Sequence, residues 1–331
     1  MKYPIDKELK SISIYSGSVV GWMYPMINIG YRLRKCRSDK CISVRRVSTP
    51  GYDGEKINTL IIEPKECGRD LPCIVFFHGG GFLMSASDAH YRVAKRYCNE
   101  INCKVIMPDY RLLPKYQYPV AIEDCYNTYL WVLENSESLG INKDGIIFVG
   151  DSAGGNIAAA VTVMLKDRNQ LIPQGNMLIY PVLDKRMITE SMMKYTDTPI
   201  WDSKCNKRFW DMYLKGCDSS HARYSSISEI DHLDFFPKTY VEVAEFDCLH
   251  DEGIAFAKTL ISEGVETEYY SFHGTCHGFE AATGSSILNE CMKRRMSPMM
   301  VSQYQLQLPD KEVLRKKLQE LANIPQIEDK E

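Results

Sequence analysis

Ile146-Ile147-Phe148-Val149-Gly150-Asp151-Ser152-Ala153-Gly154-Gly155-Asn156 is a run of four apolar residues leading into a glycine-flanked serine. The apolar run has the composition of a buried strand, and Ile157-Ala158-Ala159-Ala160-Val161 behind it continues as a helix. A serine at such a strand-to-helix junction, with glycine two positions away on each side, matches the G-x-S-x-G elbow. Glycine there lets the backbone turn sharply and presents the hydroxyl at the top of a sheet, where the following helix aims its positive N-terminal end. In isolation the pattern would be no more than a turn serine; its flanks make it a candidate nucleophile.

A second segment of the same kind lies upstream, where Ile74-Val75-Phe76-Phe77 runs into His78-Gly79-Gly80-Gly81-Phe82. Glycine-rich loops after a strand can turn backbone N–H groups onto a developing oxyanion. Gly80, Gly81 and Ala153, the residue after the serine, are the expected donors. His78 precedes Ser152 in the chain and reads as an organiser of the loop. The two segments together point to acyl transfer.

A serine hydroxyl needs a base and the base an orienting carboxylate, in this fold in the order Ser, acid, His. His277, in Gly274-Thr275-Cys276-His277-Gly278-Phe279, is the expected base, in a loop after the last strand. His273 is closer to the strand end and reads as structural, and His250 follows the candidate acid too closely to be its partner. Asp247, at the end of Tyr240-Val241-Glu242-Val243-Ala244-Glu245-Phe246, is the expected acid. Asp251 and Glu252 begin the next helix and read as its caps, whereas Asp184 opens a long insertion.

Outward from these motifs, 42–47 and 57–62 read as an antiparallel pair joined by a Gly/Pro-rich connection. Apolar strands at 73–77, 104–107, 146–149, 177–180, 239–244 and 268–272 alternate with helical stretches at 89–99, 119–134, 152–166 and 253–263. That alternation predicts an α/β fold with a mostly parallel sheet covered by helices on both faces. Val20, Met23, Ile27 and Tyr31 recur at helical spacing, so the first 38 residues are expected to form helices packed over the core. Between Asp184 and Pro237 no strand pattern is visible. The aromatic and methionine residues there, Trp201, Phe209, Trp210, Tyr213, Met187, Met192 and Met193 among them, would either line an acyl pocket or form the insertion's own core. The expected organisation is 1–38 N-terminal cap helices, 39–184 and 238–297 core, 185–237 cap insertion and 298–331 helical tail. In the tail, Val313, Leu314, Leu318 and Leu321 make one helical face.

The 331 residues carry a formal charge of -3, with 44% hydrophobic and 25% charged residues, a balance that gives no reason to expect a nucleic-acid partner. The charged start resembles no secretory signal, and the apolar stretch 19–29 is about half of the ~20 residues that a spanning helix needs and is interrupted by Pro25. A cytoplasmic protein without stable membrane insertion is expected. Twelve scattered cysteines then read as buried thiols, and the absence of metal-ligand spacing predicts no metal and no cofactor.

His78-Gly79-Gly80-Gly81-Phe82, Asp109-Tyr110-Arg111-Leu112, Tyr118-Pro119, Gly150-Asp151-Ser152-Ala153-Gly154-Gly155-Asn156, Asp247 with Asp251-Glu252-Gly253, and His277-Gly278-Phe279 together resemble the hormone-sensitive-lipase-like carboxylesterases over about 40–282. The resemblance implies an α/β-hydrolase fold with a helical cap, nucleophile Ser152, acid Asp247, base His277 and the oxyanion donors already named. It also implies that Asp109, Arg111 and Asp124 are scaffold residues. Cys248 and Cys276 lie outside the family pattern and raise thiol sensitivity as a question. The expected partner is a small soluble ester with a short, acetyl-type acyl group, and a homodimer is open. An amidase or acyltransferase using the same triad, and a non-catalytic ligand-binding protein of this fold, are the alternatives.

Overall fold

The computed structural model describes residues 2–13, 17–66, 68–218 and 222–307, with the side chains of 13–22 and 297–307 outside the description. Two helices open the chain, α1 (Lys10–Ser13) and α2 (Gly17–Leu33). The strands β1 (Ile42–Pro50) and β2 (Lys56–Pro64) follow, then β3 (Leu71–Phe77), α3 (Asp88–Ile101), β4 (Lys104–Pro108), α4 (Val120–Glu134) and the short α5 (Ser136–Leu139). Next come β5 (Ile141–Asp151), α6 (Ala153–Asp167), β6 (Gly175–Ile179), and α7 (Glu190–Lys194) and α8 (Ser203–Tyr213) in the long insertion. The chain continues as β7 (Lys238–Phe246), α9 (His250–Ser262), β8 (Thr267–Cys276) and α10 (Ser286–Gln307).

These strands form one eight-stranded sheet in the order β1-β2-β4-β3-β5-β6-β7-β8. β1 and β2 pair antiparallel, as their turn-linked apolar patterns predict, and β2 pairs antiparallel with β4. All remaining neighbours are parallel. Parallel strands are buried on both faces, which is why Val75, Phe77, Ile106, Phe148 and Leu178 come from unbroken apolar runs. α6 is apolar all round, and every residue from Ala153 to Leu165 is buried.

Strand order determines where the chemistry collects. β3 and β5 are neighbours with Phe77 opposite Gly150, so the two glycine segments leave the sheet side by side. At the other end of the parallel set, a register shift in β7 places Phe246 opposite Cys276, so Asp247 and His277 are the next residues of adjacent strands. β8 runs to Cys276, four residues past the end that the apolar pattern predicts, so Thr275 and Cys276 belong to the strand and not to a loop. They extend it because neighbouring β7 supplies a partner. Gly278, in the left-handed conformation (φ 67°), then turns the chain at the sheet edge.

The N-terminal helices cover this edge. Asn28 on α2 donates to the Leu83 carbonyl at 2.7 Å and accepts from the Ser85 N–H at 2.9 Å, which fastens the helix to the segment after the glycine loop. α10 is anchored by Arg295, fully buried and bonded to Glu242 of β7 at 2.6 and 2.9 Å. Val313, Leu314, Leu318 and Leu321 lie outside the described residues. No helix among the described residues is long and apolar enough to cross a membrane.

Candidate active site

Ser152 stands at the junction of β5 and α6 with φ 56° and ψ -118°. These are the angles of the first central residue of a type II′ turn, a position that favours glycine, so a serine there is strained. Its N–H donates to the Ile179 carbonyl at 2.8 Å, and its carbonyl accepts from Asn156 and Val182, both at 3.2 Å. The glycines two residues away have a packing reason. A Cβ on Gly150 would overlap the carbonyl of Gly154, and one on Gly154 would overlap that of Phe77. The elbow closes only without those side chains.

The structure brings the three expected residues into one hydrogen-bonded line. His277 Nε2 is 2.8 Å from Ser152 Oγ, and His277 Nδ1 is 2.7 Å from Asp247 Oδ2. Asp247 is fully buried and its other oxygen accepts from the Leu249 N–H at 3.0 Å, which fixes the carboxylate plane. With Nδ1–H donated to Asp247, Nε2 presents a lone pair to the serine hydroxyl, the tautomer that a general base requires.

The glycine loop is aimed by backbone conformation. Gly80 and Gly81 have φ 116° and 60°, which L side chains rarely adopt. Among the described residues, the N–H groups of Gly80, Gly81 and Ala153 have no protein acceptor, so all three are available to a ligand. Gly79 is tied back by donating to Asp151 Oδ1 at 3.0 Å, while Asp151 Oδ2 lies 3.2 Å from His90 Nε2. Burial opposes charge on both partners, yet their mutual attraction holds Asp151 below and His90 above their ordinary values. The sequence offered no signal for this tether, since His90 lies in α3 and nothing in its spacing relates it to Asp151.

The remaining expectations sort by contact. His78 Nδ1–H donates to the Gly79 carbonyl at 2.8 Å, and the ring stacks on Tyr110 at 4.4 Å. Burial and the nearby His90 push it down to about 4, so it is a neutral brace within the loop. Asp124 and Arg111 form a pair at 2.7 Å that also holds the Tyr52 N–H, and neither bonds a triad member. His250 bonds Asp251 and Ser271, and His273 is exposed on β8 beside Glu245. Asp184 pairs with Arg186. Asp251 accepts from the Ser191 N–H of the insertion and buried Glu252 from the Leu183 N–H of the core segment before it, so both hold these segments to α9 instead of capping it.

Cys248 and Cys276 are buried, and burial raises both thiols, Cys276 to about 12 and Cys248 well above its ordinary value. Neither is a thiolate near neutral pH. Treatment with N-ethylmaleimide at pH 7 is therefore expected to leave hydrolysis unchanged; stoichiometric loss of activity with alkylation of either residue would contradict this. The described cysteines are free thiols, and those residues contain no cluster suited to a metal ion.

A cavity of about 720 Å³ opens beside Ser152, His277 and Gly80. Ile12, Ile27, Met84 and Val93 give it apolar walls, and Asp151, Tyr180 and Glu280 a polar end. Of the insertion's aromatic residues, Phe209, Trp210 and Tyr213 take the second of the two roles open to them, whereas Trp201 stands beside Gly81 and His277. Phe209 and Tyr213 stack on Phe82 at 5.5 and 4.4 Å, and with Trp210 they are buried as the insertion's own core. Ile200 is the insertion residue found in the cavity wall.

A family model described as the alpha/beta hydrolase fold matches residues 74–281. The carboxylesterase NlhH of Mycobacterium tuberculosis is 32% identical over 235 residues, covering 70% of this chain and 74% of that protein. The putative alpha/beta hydrolase R526 of Acanthamoeba polyphaga mimivirus is 31% identical over 229 residues, covering 68% of this chain and 66%, just under two thirds, of its own length. A solved structure of a bacterial heroin esterase matches with a TM-score of 0.81 at 27% identity, over 91% of this chain and 98% of that one. The matched region carries both glycine segments and the Ser152–His277–Asp247 line, and the chain belongs to the alpha/beta hydrolase fold family, among its hormone-sensitive-lipase-like carboxylesterases.

Proposed function

We propose that this protein is a serine carboxylesterase that hydrolyses short-acyl carboxylic esters through an acyl-enzyme intermediate. The observation that carries this reading is the Ser152–His277–Asp247 line at 2.8 and 2.7 Å, placed beside three free N–H donors. His277 takes the proton of Ser152 as Oγ attacks the ester carbonyl. The oxyanion is held by the N–H groups of Gly80, Gly81 and Ala153, at the positive end of α6. His277 protonates the departing alcohol and then activates water, whose attack releases the acid. Asp247 keeps the ring oriented and stabilises its protonated form. Residues 1–38 and 185–237 serve as the cap over this centre. The relatives named as esterases support the reaction class, and a relative named as an ethyl acetate hydrolase supports the short acyl group. Stoichiometric labelling of Ser152 by an organophosphate, with loss of p-nitrophenyl acetate hydrolysis, is the direct test; labelling at another residue, or activity that survives labelling, would refute it.

Asp151 acts through the loop it tethers. In Asp151→Ala, Gly79 loses its anchor and the N–H groups of Gly80 and Gly81 shift off the oxyanion. Misplacement of reacting groups by ~1 Å costs about 10²-fold in rate. A fall of that size in kcat with KM little changed is expected from steady-state kinetics, and an unchanged kcat would show that the tether is dispensable.

A further inference from the structure

The insertion crosses the site at Pro199-Ile200-Trp201, and its backbone there is unusual. The Trp201 N–H donates to the Pro199 carbonyl at 2.7 Å, closing a three-residue γ-turn with Ile200 at its centre at φ 66°. A positive φ is strained for any L residue and most of all for a β-branched one. Such strain persists only where the surroundings over-determine it. Here Thr198 Oγ1 donates to the Trp201 carbonyl at 2.7 Å, the Trp201 indole N–H donates to Asn206 Oδ1 at 3.3 Å, and the ring packs on Phe209 at 6.3 Å.

The turn sends its two apolar side chains to different places. Ile200 enters the wall of the 720 Å³ cavity, with methyl carbons 3.6 Å from where a Cβ of Gly278 would stand. Trp201 is absent from that wall. Its ring carbons lie 2.8 and 3.1 Å from where a Cβ of Gly81 would stand, and its centroid is 6.0 Å from that of His277. Trp201 thus stands against an oxyanion donor and the base together, and Gly81 must be glycine partly because the indole occupies the space.

An ester bound with its carbonyl oxygen on Gly80 and Gly81 has two substituents that diverge from the carbonyl carbon. One has a 720 Å³ cavity to enter, within the size range of sites for drug-sized ligands. The other meets a buried indole held by one hydrogen bond and an aromatic neighbour. We propose that Trp201 is the specificity-determining residue on the acyl side, limiting the acyl group to acetyl size while the cavity receives a bulky alcohol. This rests on the reading of Ser152 as an ester-hydrolase nucleophile. It deepens that reading by naming the substrate class: acetyl-type esters of large, largely apolar alcohols. It also gives the strained turn a purpose, because a relaxed Ile200 would redirect both side chains.

Two measurements on the full chain test it. With p-nitrophenyl esters the aryl alcohol fills the cavity, so the acyl group must face Trp201. A pocket mismatched by even one methylene discriminates by about 10–200-fold, so kcat/KM for the acetate is expected to exceed that for the hexanoate by at least ~10-fold. The isomers hexyl acetate and ethyl hexanoate then assign the arms, with hexyl acetate preferred. In Trp201→Ala the hexanoate-to-acetate ratio is expected to rise at least ~10-fold, with Trp201→Phe between it and the native protein. Each value is a ratio within one preparation, so partial loss of folded protein cancels. Equal rates on the two p-nitrophenyl esters, a preference for ethyl hexanoate, or an unchanged ratio in both variants would overturn the proposal. Failure to hydrolyse p-nitrophenyl acetate at all would instead overturn the ester-hydrolase reading beneath it.

Discussion

Ser152→Ala is expected to abolish measurable hydrolysis of p-nitrophenyl acetate while leaving the thermal unfolding midpoint almost unchanged. Removal of a triad nucleophile costs on the order of 10⁴–10⁶ in kcat, because the His277–Asp247 pair has nothing left to activate. The residue that remains is what the oxyanion donors and binding supply. The fold should tolerate the change because the Ser152 side chain bonds to His277 Nε2, whereas the elbow is held by backbone bonds to Ile179, Asn156 and Val182. Losing that one neutral hydrogen bond costs about 1 kcal/mol. Retention of most activity would remove Ser152 from the mechanism. Unfolding of the variant would show that the hydroxyl has a structural role that its contacts do not suggest.

Arg295→Met is expected to be the most damaging single change to stability. Arg295 has no solvent exposure, bonds Glu242 through two nitrogens at 2.6 and 2.9 Å, and meets Glu280 at 2.5 Å. Glu280 in turn accepts from the Tyr180 hydroxyl, and Tyr180 lies against His277 at 4.7 Å between ring centroids. Burial raises the Glu280 carboxyl, Arg295 opposes that, and the neighbouring Asp151 adds to it. Without the guanidinium, two buried carboxyl groups lose their counterion. Removing one partner from a buried ion pair costs about 3–5 kcal/mol. The neighbouring Arg294, half-exposed and paired only at 3.4 Å with Glu290 and stacked on Tyr270, should cost no more than about 1 kcal/mol when changed to alanine. Urea unfolding of both variants checks the contrast. Equal midpoints would show that the buried network contributes little.

The comparison of residues read in sequence with residues found in space has a pattern. Ser152 and Asp247 were legible because each closely follows an apolar strand run, and His277 because it lies in the segment read as the loop after the last strand; parallel strands deliver their C-terminal ends to one edge. Gly80 and Gly81 were legible because glycine at a strand exit has few purposes other than close backbone approach, and Ala153 because it directly follows the elbow serine. His90, Tyr180, Ile200, Glu280 and Arg295 were not, and Trp201 was legible only as an insertion aromatic with two roles open to it. Each reaches the site or its support from a distant element through side-chain contacts that no local spacing encodes. Asp251 and Glu252 looked like helix caps because a carboxylate in the first turn of a helix ordinarily is one. Only the approach of Ser191 and Leu183 shows that they hold the insertion and the segment before it instead.

By itself, then, the order of apolar runs and glycine segments determined the sheet, the elbow and the residues proposed to react, since strand burial and backbone turning are local demands that residue types must meet. Tertiary structure alone decided which walls surround those groups. The insertion's aromatic residues could line a pocket or pack on each other with equal local plausibility, and distant contacts divided them: Phe209 and Tyr213 stack with Phe82, Trp201 stands against Gly81 and His277, and the N-terminal helices line the cavity. Reactivity is set by what a few residues are; the shape around them is set by which distant surfaces meet.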